Sequence, residues 1–141
     1  MTILNDRARG QARDALSGLT GPVRLVFFET TLDCDTCPEA KSLAQEVAAL
    51  SDKIRFEAYN VHLDKEKARE FRVNGAPVLA VVGEKDHGIR FYGTPGGYEF
   101  GTLIEAIQDV SAGRVALPPE IVEGLKALRS PVHLRVFVTP T

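Results

Sequence analysis

The chain has 141 residues, of which 44% are apolar and 26% charged, with 17 basic against 19 acidic side chains and a formal charge of −2. A chain this long buries roughly two thirds of its unfolded surface, so one well-formed core is expected, and the near-average composition excludes disorder, collagen-like repeats and coiled coil. The slight acidity leaves no basic stripe for nucleic acid, and no apolar run approaches the ~20 residues that span a bilayer, so neither nucleic acid nor membrane is an expected partner.

The first residues, MTILNDRARGQARDAL, are charged and amphipathic and lack the apolar stretch and cleavage site of a secretory signal. Leu4, Ala8, Ala12, Ala15, Leu16 and Leu19 recur at steps of three and four, which predicts a helix within Ile3–Leu19, stopped by Gly18 and Gly21-Pro22. Pro22 to Phe28 is β-branched and aromatic with little alternation at its end, the pattern of a strand covered on both faces. A polar loop, Glu29 to Asp33, leads directly to Cys34-Asp35-Thr36-Cys37. From Cys37, Ala40, Leu43, Ala44, Val47 and Leu50 form one helical stripe, with Pro38 in the first turn where its missing N–H costs nothing.

Ile54 to Tyr59 alternates at period two and predicts a strand, and His62 to Phe71 predicts a short exposed helix. Pro77 to Val82 reads as a buried strand opened by proline, linked by the short loop Gly83 to Gly88 to Ile89–Tyr92 as an antiparallel hairpin. After the turn cluster Gly93-Thr94-Pro95-Gly96-Gly97, the stripe Phe100, Leu103, Ile104, Ile107 and Val110 marks an amphipathic helix ended by Gly113. A further helix is expected from Pro118 to Leu128, and Val132 to Val138 alternates as a last strand. The order predicts an α/β fold, a central mixed sheet flanked by helices with an appended C-terminal helix and strand.

The two cysteines are the informative residues. A buried strand delivers Cys34 to the start of a helix, where unpaired N–H groups and the positive end of the helix dipole favour thiolate over thiol. The thiolate is the nucleophile of disulfide exchange, so Cys34 is the expected attacking group. Cys37, one turn in and more enclosed, is expected to resolve the mixed disulfide. Thr36 and Asp35 between them tune the pair. The negative charges of Asp33 and Asp35 oppose the dipole and predict a mildly to strongly reducing couple rather than a strong oxidant.

Other readings of the pair stay open on the residues alone. It could be half a zinc site, but there is no second CxxC, and His62, His87 and His133 stand alone without ligand spacing. It could be retained for packing, since buried cysteine behaves as a small hydrophobe. As a structural disulfide it would close too short a ring to remove much chain entropy.

Cys34-Asp35-Thr36-Cys37, Gly75-Ala76-Pro77 and the run Gly88 to Phe100, GIRFYGTPGGYEF, together resemble the thioredoxin fold, and more closely the N-terminal unit of the glutaredoxin-like protein disulfide oxidoreductases, which carry two such units in tandem. The resemblance covers nearly the whole chain. It implies a thiol–disulfide oxidoreductase acting on protein disulfides and supplied by a reductase or thiol donor, with a redox-active disulfide in place of a resident cofactor and glutathione as an open alternative; the lack of a secretory signal adds the cytoplasm as the expected compartment. It implies a cis Pro77 that leaves the Ala76 backbone free to pair with an extended substrate. Gly96 and Gly97 resemble the turn where glutaredoxins hold the carboxylate of glutathione, the one small-molecule cofactor the resemblance suggests.

The chain departs from the family in lacking the acid buried beneath the cysteines; Phe27 and Phe28 occupy that stretch, and Glu29 is the nearest acid able to take a proton from Cys37. On this resemblance residues 1–115 form the thioredoxin-like unit, and 116–141 a linker helix and the first strand of a second unit. The competing reading is a redox-weak docking module. An unpaired strand at 132–138 would also offer an edge for homodimerisation.

Overall fold

The computed structural model describes residues 1–139. Helix α1 (Asp6–Leu16) starts where Asn5 leaves extended backbone and its side chain accepts the Ala8 N–H, one of the donors a helix start leaves unpaired. It is shorter at both ends than the periodicity suggests, because Ile3 and Leu4 are instead pinned by their N–H groups to the Glu46 carboxylate. Strand β1 (Val23–Glu29) follows, then α2 (Cys37–Ala48), β2 (Ile54–Asn60), α3 (Lys65–Glu70), β3 (Val78–Val82), β4 (Ile89–Tyr92), α4 (Glu99–Ala112) and α5 (Pro119–Lys126).

Among the described residues the strands form one mixed sheet in the order β2-β1-β3-β4. β1 runs parallel to β2, with Val23 opposite Ile54 and Glu29 opposite Asn60. It runs antiparallel to β3, with Phe28 opposite Val78, and β3 forms the expected hairpin with β4. Period-two alternation sends Leu25 and Phe27 of β1 into the core under α1, α2 and α4, and sends Val26 and Phe28 into a second core with Ala68, Phe71 and Val73. That two-sided burial is why β1 and β3 read as unbroken apolar runs.

The end of α4 is clamped to the sheet. Ser111 Oγ accepts the Thr20 and Gly21 N–H groups and donates to the Gly21 carbonyl. At Gly83 the backbone approaches α4 so closely that a Cβ would lie 2.5 Å from the Val110 carbonyl oxygen. Between β1 and the outer strand β2 the Arg24 guanidinium holds Glu57 through two hydrogen bonds, of 2.8 and 3.0 Å.

One expected element is missing: Val132–Val138 forms no strand, and its apolar side chains are exposed. Alternation supplies a face, but a strand exists only by pairing with a neighbour, and none of the described strands lies beside it. Pro140 and Thr141, the end of the expected 116–141 segment, lie outside the described residues. Among the described residues no helix is long and apolar enough to cross a membrane.

Two carboxylates make the fold sensitive to acid. Burial pushes Glu46 up, but donation from the Ile3 and Leu4 N–H groups and from Arg9 outweighs it and holds the carboxyl below its ordinary value. The Arg24 guanidinium, against burial and helped by the Tyr59 hydroxyl, holds Glu57 low as well. A carboxyl depressed on folding stabilises the native state above its unfolded value of ~4.3 and loses that contribution as pH falls through the folded value. The melting temperature should therefore be flat near neutrality and fall below pH ~4.3. Glu46→Gln should cost about 1–2 kcal/mol at pH 7 and little at pH 3, as denaturant titrations at both pH values will read.

Candidate redox site

At the end of β1 the chain turns through residues 30–36 and enters α2 at Cys37. Cys34 and Cys37 are joined by a disulfide with their Cα atoms 5.4 Å apart. Cys37 is buried, 3% exposed, while Cys34 is half-buried. The expected asymmetry between the two sulfurs is present, with one correction of position. Cys37 is the first helical residue rather than one turn in, and Cys34 lies a turn ahead of the helix. The reason is local: Pro38 favours the first positions of a helix, and the Cys37 N–H already turns back to the Cys34 carbonyl.

Thr36 caps the helix without a side-chain hydrogen bond. Ala40 N–H reaches the Thr36 carbonyl at 3.0 Å, but the Glu39 N–H has no partner among the described residues. The helix start thus keeps part of its positive potential beside Cys34. Against it stand Asp33 and Asp35, both exposed and neither in an ion pair or side-chain hydrogen bond among the described residues. Asp33 adopts a left-handed backbone, φ +52°, a conformation that aspartate tolerates better than most residues.

The sheet brings the second motif to the same end. With Phe28 opposite Val78, the Ala76-Pro77 bond, which is cis, precedes β3 just where β1 finishes. Pro77 is buried, and its carbonyl accepts the Gly93 N–H at 2.9 Å. The Ala76 N–H and C=O, half-buried, have no partner among the described residues. An unpaired peptide group at a strand entrance is poised to accept another chain.

Other expected residues have different surroundings. Glu29 ends β1 and is ion-paired with the Lys41 ammonium of α2 at 2.7 Å, a partner that reading along the sequence did not find, because only folding brings strand end and helix together. Gly96 and Gly97 form the entry turn of α4: their carbonyls accept the Glu99 and Phe100 N–H groups. Two of the amides that would hold a carboxylate are thereby already engaged. Burial pushes the nearby Glu99 carboxyl up. The sequence reading also missed the Tyr92 hydroxyl donating to Asn74 and the exposed Leu32, Leu63 and Tyr98 at this end; side chains that pack on nothing leave no periodic signal. Among the described residues no cluster of three or more His, Cys, Asp or Glu could hold a metal ion.

Comparison with known proteins is consistent with this geometry. No family model matches the chain. Over 88 residues it is 35% identical to a probable thioredoxin of Methanothermobacter marburgensis, an alignment covering 62% of this chain and 94% of that protein. The chain belongs to the thioredoxin family. The F component of the alkyl hydroperoxide reductase of Staphylococcus epidermidis is 30% identical over 139 residues, 99% of this chain but 25% of that protein; the chain spans about a quarter of the length of this relative. A protein disulfide oxidoreductase of Aeropyrum pernix superposes with a TM-score of 0.80 at 25% identity, over 90% of this chain and 57% of that one. The NTD_N/C domain of alkylhydroperoxide reductase AhpF from Enterococcus faecalis shares the fold, with a TM-score of 0.79 at 24% identity over 89% and 61% of the two chains.

The resemblance to the N-terminal unit of the tandem thioredoxin-fold proteins is thus borne out. The chain thus joins a thioredoxin-family fold to a CxxC disulfide. After reduction, the unequal exposure of its two thiols should appear directly: iodoacetamide in limiting amount should alkylate Cys34 many times faster than Cys37, as mass spectrometry of the peptides will resolve.

Proposed function

We propose that this chain exchanges electrons with disulfides of other proteins, with Cys34 as the attacking nucleophile and Cys37 as the resolving thiol. The observation that carries the reading is the half-exposed Cys34 bonded to a buried Cys37, at the end of the sheet where the Ala76 backbone is unpaired. A substrate segment pairs with the Ala76 N–H and C=O as a short added strand. The Cys34 thiolate then forms a bond to one substrate sulfur, and the other leaves as thiolate and takes a proton from water. Cys37, deprotonated, attacks Cys34 and releases the second substrate sulfur. The protein ends as disulfide and the substrate as dithiol.

Thr36 and Asp35 set the environment of Cys34, and with Asp33 they bias the couple toward reducing potentials. Glu29 tunes Cys37 only through the ion pair with Lys41. A reductase or thiol donor restores the dithiol, and the likeness to the F component of alkyl hydroperoxide reductase supports a setting within or beside a larger reductase. The reducing cytoplasm is the compartment that suits a reducing couple. Glutathione at Gly96 and Gly97 is less well supported, since the turn carbonyls already engage the Glu99 and Phe100 amides. Insulin reduction by dithiothreitol should fall to the uncatalysed background in both Cys34→Ser and Cys37→Ser, and Cys37→Ser alone should accumulate a mixed disulfide visible by mass.

A second reading concerns residues 116–139. Helix α5 leaves Ile121 and Leu125 about half exposed, and the tail exposes Leu134, Val136 and Phe137 almost fully. This supports a division at about residue 115, with a linker helix and an edge segment that docks another thioredoxin-fold unit, of which a second copy of this chain is the simplest. Sedimentation velocity should show concentration-dependent dimers that Val136→Lys with Phe137→Glu abolishes; a strictly monomeric parent chain would remove the dimer.

A further inference from the structure

Carboxylates outnumber cations at the disulfide end of the sheet. Residues 29–41, 60–66 and 92–99, which cluster at the disulfide end of the strands, carry seven carboxylates against two lysines. One lysine, Lys41, is already paired with Glu29. Asp33, Asp35 and Glu39, the acids nearest the two cysteines in the chain, are exposed, and their side chains meet no cation among the described residues. At the opposite end Arg24, which is paired with Glu57, lines one surface hollow together with Lys53, Arg55 and Asp52.

We infer that the site selects disulfides by charge, taking those flanked by cationic groups and rejecting anionic ones. The inference rests on the redox reading above and adds its substrate class. The acids do not form a binding site by themselves; they surround a disulfide whose chemistry requires another sulfur to approach Cys34. A unit charge on the incoming partner at roughly 8 Å from one carboxylate changes its local concentration by about twofold in water at low salt. Asp33, Asp35 and Glu39 multiply that factor, and of the two lysines in these segments Lys41 is held by Glu29, which leaves Lys65 as a partial offset. Oxidised glutathione, which is anionic, falls on the rejected side, whereas a cystine beside lysine or arginine falls on the favoured side.

The test uses the reduced full chain in single turnover, its own dithiol being the reductant, against three small disulfides of similar size: cystamine (cationic), 2-hydroxyethyl disulfide (neutral) and 3,3′-dithiodipropionate (anionic). Each rate is divided by that of the same disulfide with 2-mercaptoethanol, which removes differences in leaving-thiol basicity. The normalised cationic-to-anionic ratio should be at least about tenfold at 0.01 M salt, where the screening length is ~30 Å, and should collapse toward one at 1 M, where it is ~3 Å. Asp33→Asn with Asp35→Asn should shrink the low-salt ratio severalfold, whatever they do to the thiolate fraction, because both substrates meet the same thiolate. A ratio near one at low salt while the neutral disulfide reacts normally would overturn the charge selection and leave the redox reading standing. A salt-independent ratio, or one unchanged in the double variant, would overturn it equally. Failure of all three disulfides to react would overturn the redox reading and the selection together.

Discussion

Strand β1 is the constraint from which the rest of the structure follows. Leu25 to Phe28 are fully buried, and because alternate side chains face opposite ways, one strand must be covered by α1, α2 and α4 on one side and by the α3 region on the other. Burying a large apolar side chain is worth roughly 1.5–3 kcal/mol, so these consecutive residues hold the strand in one register. Its C-terminal end is therefore a fixed point, and the cysteine loop begins there. An attacking sulfur has to present the same geometry to every partner, and a loop anchored to a two-sided strand at one end and to α2 at the other can do so.

The same packing explains why the site needs so few special residues. The enclosure of Cys37 comes from its place as the first residue of a helix packed on the sheet, and the openness of Cys34 from lying a turn ahead of it. The unpaired Ala76 peptide group comes from β3 starting only at Val78. Phe27 and Phe28 are buried in the strand that leads to the cysteines, and Glu29 at its end is engaged by Lys41. In the proposed reaction the helix start and the neighbouring aspartates act on Cys34 with opposite signs, so its reactivity would be a balance of two modest fields rather than the product of one strong partner.

Much of the fold was legible because its signals are local. The buried runs of β1 and β3, the stripes of α2 and α4, and the hairpin loop of six residues each carry their own periodicity or length. The errors fell where local pattern is insufficient. The tail from Val132 to Val138 has the alternation of a strand and is none, since no described strand pairs with it. The helix expected from Ile3 starts at Asp6, because Glu46, 43 residues from Ile3, takes up the Ile3 and Leu4 amides. The helix at the cysteines does start at Cys37 as its stripe predicts, but this makes Cys37 its first residue rather than one turn in, with the turn closed onto Cys34 ahead of it.

By itself the sequence determined the α/β order, the cysteine pair as the reactive element and the acidic residues on either side of Cys34, because these depend on residue type and near-neighbour spacing. Only the tertiary structure decided that Glu29 pairs with Lys41, that the turn at Gly96 and Gly97 uses its own carbonyls on the α4 amides, that Ala76 is left unpaired beside the end of β1, and that the acids of three separate segments gather at the disulfide end of the sheet. Those are distances between segments far apart in the chain. They are set by which faces bury apolar surface together, and no local pattern carries that information.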